Sequence, residues 1–111
     1  MARVAQMHNV PNQYHDYHDL LAREDIDSVD VCVHNFLHAP ITIDALKAGK
    51  NVYCEKPMSW AYSEAKAMYD TAQRLERKLH IQLSTLYSPE ARAAKRIIAD
   101  GHLGDIYYAK S

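Results

Sequence analysis

Glycine is scarce in this chain of 111 residues, and the three glycines, Gly49, Gly101 and Gly104, do not cluster around one turn. A loop that cradles the phosphates of a nucleotide needs several closely spaced glycines, because the backbone must approach the phosphates without a side chain in between. The pattern Gly-x-Gly-x-x-Gly is absent. These 111 residues therefore contain no glycine-rich phosphate loop of that kind.

Cysteine is nearly as rare, since only Cys32 and Cys54 are present. Two cysteines make no disulfide framework of the kind that secreted small domains use. Both lie in segments that we predict to be strands, where a free thiol behaves as a small apolar side chain and packs in the core. The alternative is a redox or metal-binding pair, but such sites normally use a close Cys-x-x-Cys spacing.

Long apolar runs and an excess of one charge are also missing. No stretch approaches the roughly 20 apolar residues of a membrane span, and the first residues are too short an apolar segment for a signal peptide. Thirteen Lys and Arg residues nearly balance 14 Asp and Glu residues. A near-neutral chain creates no broad field that would attract nucleic acid or a membrane surface. We therefore expect a soluble, cytoplasmic protein without a nucleic-acid or membrane partner.

Helix and strand patterns alternate along the chain. Short runs rich in β-branched residues predict strands, and apolar residues spaced by three and four predict helices. The predicted strands span 29–33, 51–54, 79–83 and 105–111. The predicted helices span 2–7, 16–23, 39–49 and 88–101, and a further one follows the apolar stripe from Ala61 to Leu79. Strands joined by helical crossovers indicate a parallel sheet, so the predicted fold class is α/β.

Turn and cap residues support these helix boundaries. Asp16 begins a capping-box pattern, and Ser88 followed by proline is typical of a helix start. Pro40 near a first turn and Gly49 past a last turn predict the limits of the helix over 39–49. Gly101 predicts the end of the last helix in the same way.

Two polar loops follow the first two strands. Ligands of an open parallel sheet bind beyond the carboxyl ends of its strands, so these loops suggest a shared small-molecule site. In the first loop, Asn35 and His38 can offer an amide and an imidazole to sugar hydroxyls, a ribose or a carboxamide. The alternative is that both side chains only cap the next helix or bind loop backbone.

The second loop, Glu55-Lys56-Pro57, combines opposite charges. Glu55 can accept hydrogen bonds from paired ribose hydroxyls or form an ion pair, whereas Lys56 offers a point charge that responds to desolvation. The Lys56–Pro57 bond is a candidate for the cis form, which would aim the lysine into a cleft. The alternative is an ordinary solvated turn.

The order and spacing of these motifs resemble the Gfo/Idh/MocA oxidoreductases. The resemblance rests on Val-x-Val-x-Asn-x-x-His at 31–38, Ala-Leu-x-Ala-Gly-Lys-x-Val-x-Cys-Glu-Lys-Pro at 45–57, and Ser-Pro followed by a helix and Gly-x-Leu-Gly-Asp-Ile. It implies an NAD- or NADP-dependent enzyme acting on a secondary alcohol or ketone of a sugar or cyclitol. By the same resemblance, Asn35, His38, Glu55 and Pro57 would lie at the cofactor, and Lys56 would be both a cofactor contact and the catalytic lysine.

The resemblance also implies a domain arrangement. Residues 1–84 would form the C-terminal part of a Rossmann domain, and 85–111 the first helix and strand of an α/β substrate domain. We expect the phosphate loop and the residue that selects NAD over NADP ahead of residue 1, and a catalytic histidine downstream. Ser84 and Leu86 stand where the family often has Asn and Arg, which affects substrate contacts. The full-length parent would be a homo-oligomer.

Two other functions stay open from the sequence. The chain could be a catalytically inactive fragment or association module, because it lacks the phosphate loop. A metal site is the other alternative, since His15 and His18 could share a helix face, although Asp16 beside them suits an exposed helix start. Of the remaining aromatic residues, we expect Trp60 to anchor the helix after the lysine loop, and Tyr107 and Tyr108 to pack in a sheet.

Overall fold

The computed structural model of the protein describes residues 2–110, with the side chain of Ala2 left out. Helices and strands alternate, so the predicted α/β class is confirmed. The α-helices are α1 Ala2–Met7, α2 Tyr17–Leu21, α3 Asn35–Lys47, α4 Tyr62–Arg74 and α5 Pro89–Ala99. The strands are β1 Ser28–Val31, β2 Asn51–Glu55 and β3 Leu79–Gln82, and a short 3-10 helix spans Ser84–Tyr87.

The three strands form one parallel sheet in the order β1-β2-β3. In the pairing of β1 with β2, Val29 lies beside Val52 and Val31 beside Cys54. Successive side chains of a strand point to opposite faces, so these four residues share one face of the sheet. The same face is the one that packs into the core.

The core lies between that face and helices α3 and α4. Its completely buried side chains include Leu46 of α3, Cys54 of β2 and Met68 of α4. Met68 and Ala72 belong to the stripe that predicts α4, and Leu75 and Leu79 pack against the same cluster. The apolar stripe therefore identifies the helix and the face that it buries. Its end is wrong for the helix, because α4 ends at Arg74 and Leu79 begins β3.

The start of α3 differs from the prediction. We expected the helix to begin at about Ala39 because proline is favoured in a first turn, but it begins at Asn35 and encloses Pro40. Pro40 has no N–H, so one hydrogen bond, to the carbonyl of Phe36 four residues earlier, is missing. The end agrees with the prediction, since Gly49 adopts φ +79° and donates its N–H to Leu46.

Helix caps predicted from the sequence are present at two other places. The Asp16 carboxylate accepts the backbone N–H of His18 at 2.9 Å at the start of α2. The helix itself has fewer residues than the expected helix over 16–23. The Ser88 hydroxyl accepts the N–H of Ala91 at 3.1 Å at the start of α5. Gly101, at φ +75°, follows the end of α5 as expected.

The chain divides into two compact units, one ending at Ile81 and one beginning at Gln82. Our assignment of 1–84 and 85–111 to two domains stays a prediction. Within the second unit no described residue is buried. No helix in the described part of the chain is long and apolar enough to cross a membrane.

The strand predicted over 105–111 is wrong for residues 105–110, which form no regular structure, while Ser111 lies outside the described residues. A strand needs a neighbour to hydrogen-bond with, and residues 105–110 have none in the described chain. The packing expected for two tyrosines is also wrong, because Tyr107 is 98% exposed and Tyr108 is 72% exposed.

Candidate functional site

The two polar loops leave the sheet at the same edge. Val31 and Cys54 form the last residue pair of β1 and β2, and both strands run in the same direction. The first turn of α3 follows β1 after three residues, and Lys56 and Pro57 follow β2 at once. The sheet therefore brings both loops to its carboxyl edge, where open parallel sheets bind ligands.

His38 connects the two loops. Its side chain is completely buried, with Nδ1 2.7 Å from the carbonyl oxygen of Pro57 and Nε2 3.1 Å from that of Val33. A carbonyl can only accept and a neutral imidazole has a single N–H, so the neutral ring donates to one of these two carbonyls and only contacts the other. His38 thus follows the second of our two interpretations, in which it binds loop backbone. Its contact with a ligand is not tested and stays a prediction.

Asn35 is the first residue of α3 and is partly buried. The residue at the N-cap position is His34, which makes no side-chain cap bond, so Asn35 does not cap the helix. Within residues 2–110 its amide group forms no hydrogen bond. The amide can therefore both donate and accept toward a bound molecule.

Glu55 and Lys56 have different surroundings although they are adjacent. Glu55 ends β2 and is partly buried, and its Oε1 accepts the backbone N–H of Lys56 at 3.0 Å. The Lys56 side chain is exposed and forms no ion pair with any residue that the structure describes. The Lys56–Pro57 peptide bond is cis, as the sequence suggested. Among the described residues, the Lys56 ammonium group therefore has no ion-pair partner, and Oε2 of the adjacent Glu55 can still accept a hydrogen bond.

Some features of this edge are not apparent in the sequence. The carbonyl of Val33 belongs to the backbone, so no residue type indicates its contact with His38. The rings of His34 and Phe36 lie nearly parallel, with centroids 6.0 Å apart, and Phe36 is 61% exposed. Trp60 does not anchor α4 as expected, since it is 75% exposed. In the sequence, Phe36 is an aromatic residue within the predicted first polar loop, and that is the signal that could have indicated it.

The two cysteines differ from each other. Cys54 is buried as predicted, and burial raises the pKa of its thiol. Cys32 lies beyond the last residue of β1 and is exposed, so its predicted place in the core is wrong. Its thiol donates to the Asp30 carboxylate at 3.3 Å, which raises the pKa of Cys32. The pKa of both thiols is therefore raised, which lowers the thiolate fraction that a nucleophilic cysteine needs.

His18, in α2, is engaged with a carboxylate. His18 Nδ1 lies 2.6 Å from Asp16 Oδ1, and hydrogen bonds from the His18 backbone and ring lower the pKa of Asp16. Among residues 2–110, no three His, Cys, Asp or Glu side chains are grouped as metal ligands would be.

Comparison with known proteins gives the same assignment as the sequence motifs. The model of the Gfo/Idh/MocA family matches residues 1–83, and it is described as an oxidoreductase family with an NAD-binding Rossmann fold. The chain is 33% identical to levoglucosan dehydrogenase of Pseudarthrobacter phenanthrenivorans over 105 residues, which cover 95% of the chain and 27% of that protein. It is 35% identical to inositol 2-dehydrogenase/D-chiro-inositol 3-dehydrogenase of Lactiplantibacillus plantarum, over 82% of the chain and 26% of that enzyme.

Solved structures show the same relationship. A levoglucosan dehydrogenase in complex with NADH and levoglucosan superposes with a TM-score of 0.89 at 33% identity, over 95% of this chain and 28% of that one. An NAD-binding oxidoreductase from Klebsiella pneumoniae gives 0.86 at 34% identity, over 93% and 27%. The chain thus spans about a quarter of the length of the relatives it matches. With this match in sequence and structure, the chain belongs to the Gfo/Idh/MocA family of oxidoreductases with an NAD-binding Rossmann fold.

Proposed function

We propose that this chain supplies the nicotinamide side of an NAD(P) cleft, in an enzyme that transfers hydride between the cofactor and a secondary alcohol or ketone of a sugar or cyclitol. The single observation that carries the proposal is the joining of two loops at one sheet edge by His38, beside an unpaired Lys56. Relatives named for levoglucosan and inositol support the substrate class.

Asn35 and Glu55 are suited to hold the nicotinamide and its ribose. The Asn35 amide can pair with the carboxamide of a nicotinamide, which carries one donor group and one acceptor group. Glu55 uses Oε1 for the Lys56 N–H, so Oε2 can accept from a ribose hydroxyl. With these contacts the residues fix the position of the ring rather than react with it.

Lys56 is the group that we assign to the reacting oxygen of the substrate. The bound cofactor supplies the hydride acceptor or donor. During oxidation, the alcohol proton passes to the Lys56 amine as the carbon loses hydride, and the ammonium that forms stabilises the negative charge that develops on that oxygen. An exposed ammonium without a carboxylate partner is free to approach the substrate. In the reverse direction the same group returns the proton to the oxygen.

His38 acts as a positioning residue in this proposal. It contacts the carbonyl of Pro57 directly after Lys56 and the carbonyl of Val33 just ahead of Asn35. Catalytic geometry must be held to a fraction of an ångström, and a buried ring between two loops restricts their relative movement. The distance between the amide of Asn35 and the ammonium of Lys56 is therefore set through His38.

The test is the substitution Lys56→Ala in the whole protein that contains this chain, with Lys66→Ala as the matched control. Lys66 pairs with Asp70 on the surface of α4. We expect Lys56→Ala to lower kcat by roughly 100- to 10,000-fold with little change in the Kd of NADH, as expected for loss of a proton-transfer group. Turnover within a few-fold of the unsubstituted protein would overturn the catalytic assignment.

A second function is supported by the absence of a glycine-rich phosphate loop from these 111 residues. The chain by itself could be a catalytically inactive association module, whose surface binds other parts of a protein. Direct titration with NADH separates the two, because micromolar binding by the 111-residue chain would exclude the module. A cytoplasmic location, the choice of NAD or NADP, and self-association of the whole protein stay predictions.

A further inference from the structure

Helix α5 carries three cations on one side. Arg92, Lys95 and Arg96 are spaced by three and four residues, which places them on a common face. All three side chains are exposed. The face opposite to them carries Ile97 and Ile98, so the helix separates a basic side from an apolar side.

The three cations line a cavity of about 640 Å³ within the second unit, which is open to solvent because all of its lining residues are exposed. Pro89 and Ala99 at the two ends of the helix, together with the ring of Tyr87, provide its apolar lining. No carboxylate lines the cavity. Its volume lies in the range of pockets that bind small molecules, whereas a polymer such as RNA is generally bound along an extended basic surface.

None of the three cations is neutralised by the described part of the chain. They form no ion pair with any residue between 2 and 110. Two acidic residues flank these cations. Glu90 is occupied at the start of the helix, where hydrogen bonds from its own backbone N–H and from Ser88 lower the pKa of Glu90. Asp100, four residues after Arg96, forms no ion pair with any described residue. Like charges three and four residues apart on a helix repel each other, and an anion between them would relieve that repulsion.

We propose that this cavity, formed by Tyr87, Pro89, Arg92, Lys95, Arg96 and Ala99, binds a small molecule carrying a phosphate monoester. Arginine presents paired N–H donors that match phosphate oxygens, and lysine adds a point charge. The apolar lining takes the ring or carbon skeleton of the ligand. The site lies within the second unit and is separate from the cofactor edge, so it does not depend on the proposed hydride transfer.

The experiment is a titration of the 111-residue chain labelled with ¹⁵N, followed by the amide shifts of α5. The probes are inorganic phosphate, glucose 6-phosphate and AMP at constant ionic strength, with glucose, adenosine and sodium chloride as references. We expect saturable shifts in residues 89–99 with each phosphate probe, tighter binding of the two esters than of inorganic phosphate, and no saturation with the references.

Matched variants separate the site from general charge. Arg92→Gln/Lys95→Gln/Arg96→Gln should weaken binding at least 10-fold, and circular dichroism checks that the exposed substitutions leave helix content unchanged. Arg74→Gln/Arg77→Gln/Lys78→Gln removes the same charge from exposed positions of the first unit and should leave binding unchanged. Linear shifts without saturation, or equal loss in both variants, would overturn the proposal. Saturation by inorganic phosphate alone would overturn the ester as the ligand.

Discussion

Residues 2–81 and 82–110 contain similar helices but bury them to different extents. In the first unit the apolar stripe of α4 packs on the sheet, and Met68 is completely buried. In the second unit the apolar side of α5 stays open, with Ile97 43% exposed and Ile98 50% exposed. An amphipathic pattern therefore predicts that a helix forms and which side is apolar, but not what covers that side.

The two units also differ in what holds their candidate sites in place. The carboxyl edge of the sheet is held by strand pairing and by the contacts of His38 with the carbonyls of Val33 and Pro57. The second unit has no buried residue among 82–110. The stability of the second unit therefore depends less on a buried core, and truncating one of its apolar side chains should lower the free energy of unfolding by less.

The first and largest predicted effect is the difference between Met68→Ala and Ile97→Ala. Removing a completely buried methionine leaves a cavity and should lower the free energy of unfolding by about 3 to 4 kcal/mol. Removing the half-exposed isoleucine should cost less than about 1 kcal/mol. Urea denaturation followed by far-ultraviolet circular dichroism measures both. Equal losses would show that α5 is covered as fully as α4.

His38→Ala should have the next largest effect, with His102→Ala as its control. The substitution removes the buried ring and leaves the carbonyl that accepts its N–H without a donor, which should cost about 2 kcal/mol in the free energy of unfolding. His102 is exposed in the second unit and should change it by less than about 0.5 kcal/mol. The same denaturation series measures it. If His38→Ala proves as mild as the control, the ring does not hold the two loops.

The smallest predicted effect compares the two thiols within the first unit. Burial keeps reagents from Cys54 and raises the pKa of its thiol, so it should react at least about 10-fold more slowly than exposed Cys32. Because the pKa of Cys32 is also raised, its reaction should accelerate as the pH rises from neutral. Single variants Cys32→Ser and Cys54→Ser, treated with a chromogenic disulfide reagent, give each rate. Equal rates would place Cys54 at the surface.

Most of the first unit could be predicted from local patterns, because strand and helix periodicities there agree with the tertiary packing. The exceptions have physical causes. Pro40 suggested a helix start, yet the chain turns soon after Val31, the last paired residue of β1, and α3 begins at Asn35. Cys32 continues an apolar run but falls beyond the last strand pair, so its side chain is exposed.

The sequence predicted which residues lie at this sheet edge but not their contacts, and their role as a site stays a prediction. Asn35, Glu55 and Lys56 lie at or just beyond strand ends, and the parallel sheet brings them to one edge. The ring of His38 contacts backbone carbonyls 5 and 19 residues away, and no local pattern specifies such distant partners. The segment 105–110 has the residue pattern of a strand but no neighbouring strand to pair with among the described residues, so the pattern alone does not produce a strand there.

The central claim is that the carboxyl edge of β1 and β2 is the nicotinamide side of a cofactor cleft. A ¹⁵N-labelled sample of the chain titrated with nicotinamide riboside, and separately with adenosine, tests it without involving phosphate. We predict saturable shifts at the amides of Asn35, Glu55 and Lys56 with nicotinamide riboside, weakened by Glu55→Gln, and none with adenosine. Shifts that avoid these three residues, or that are equal for both compounds, would contradict the claim.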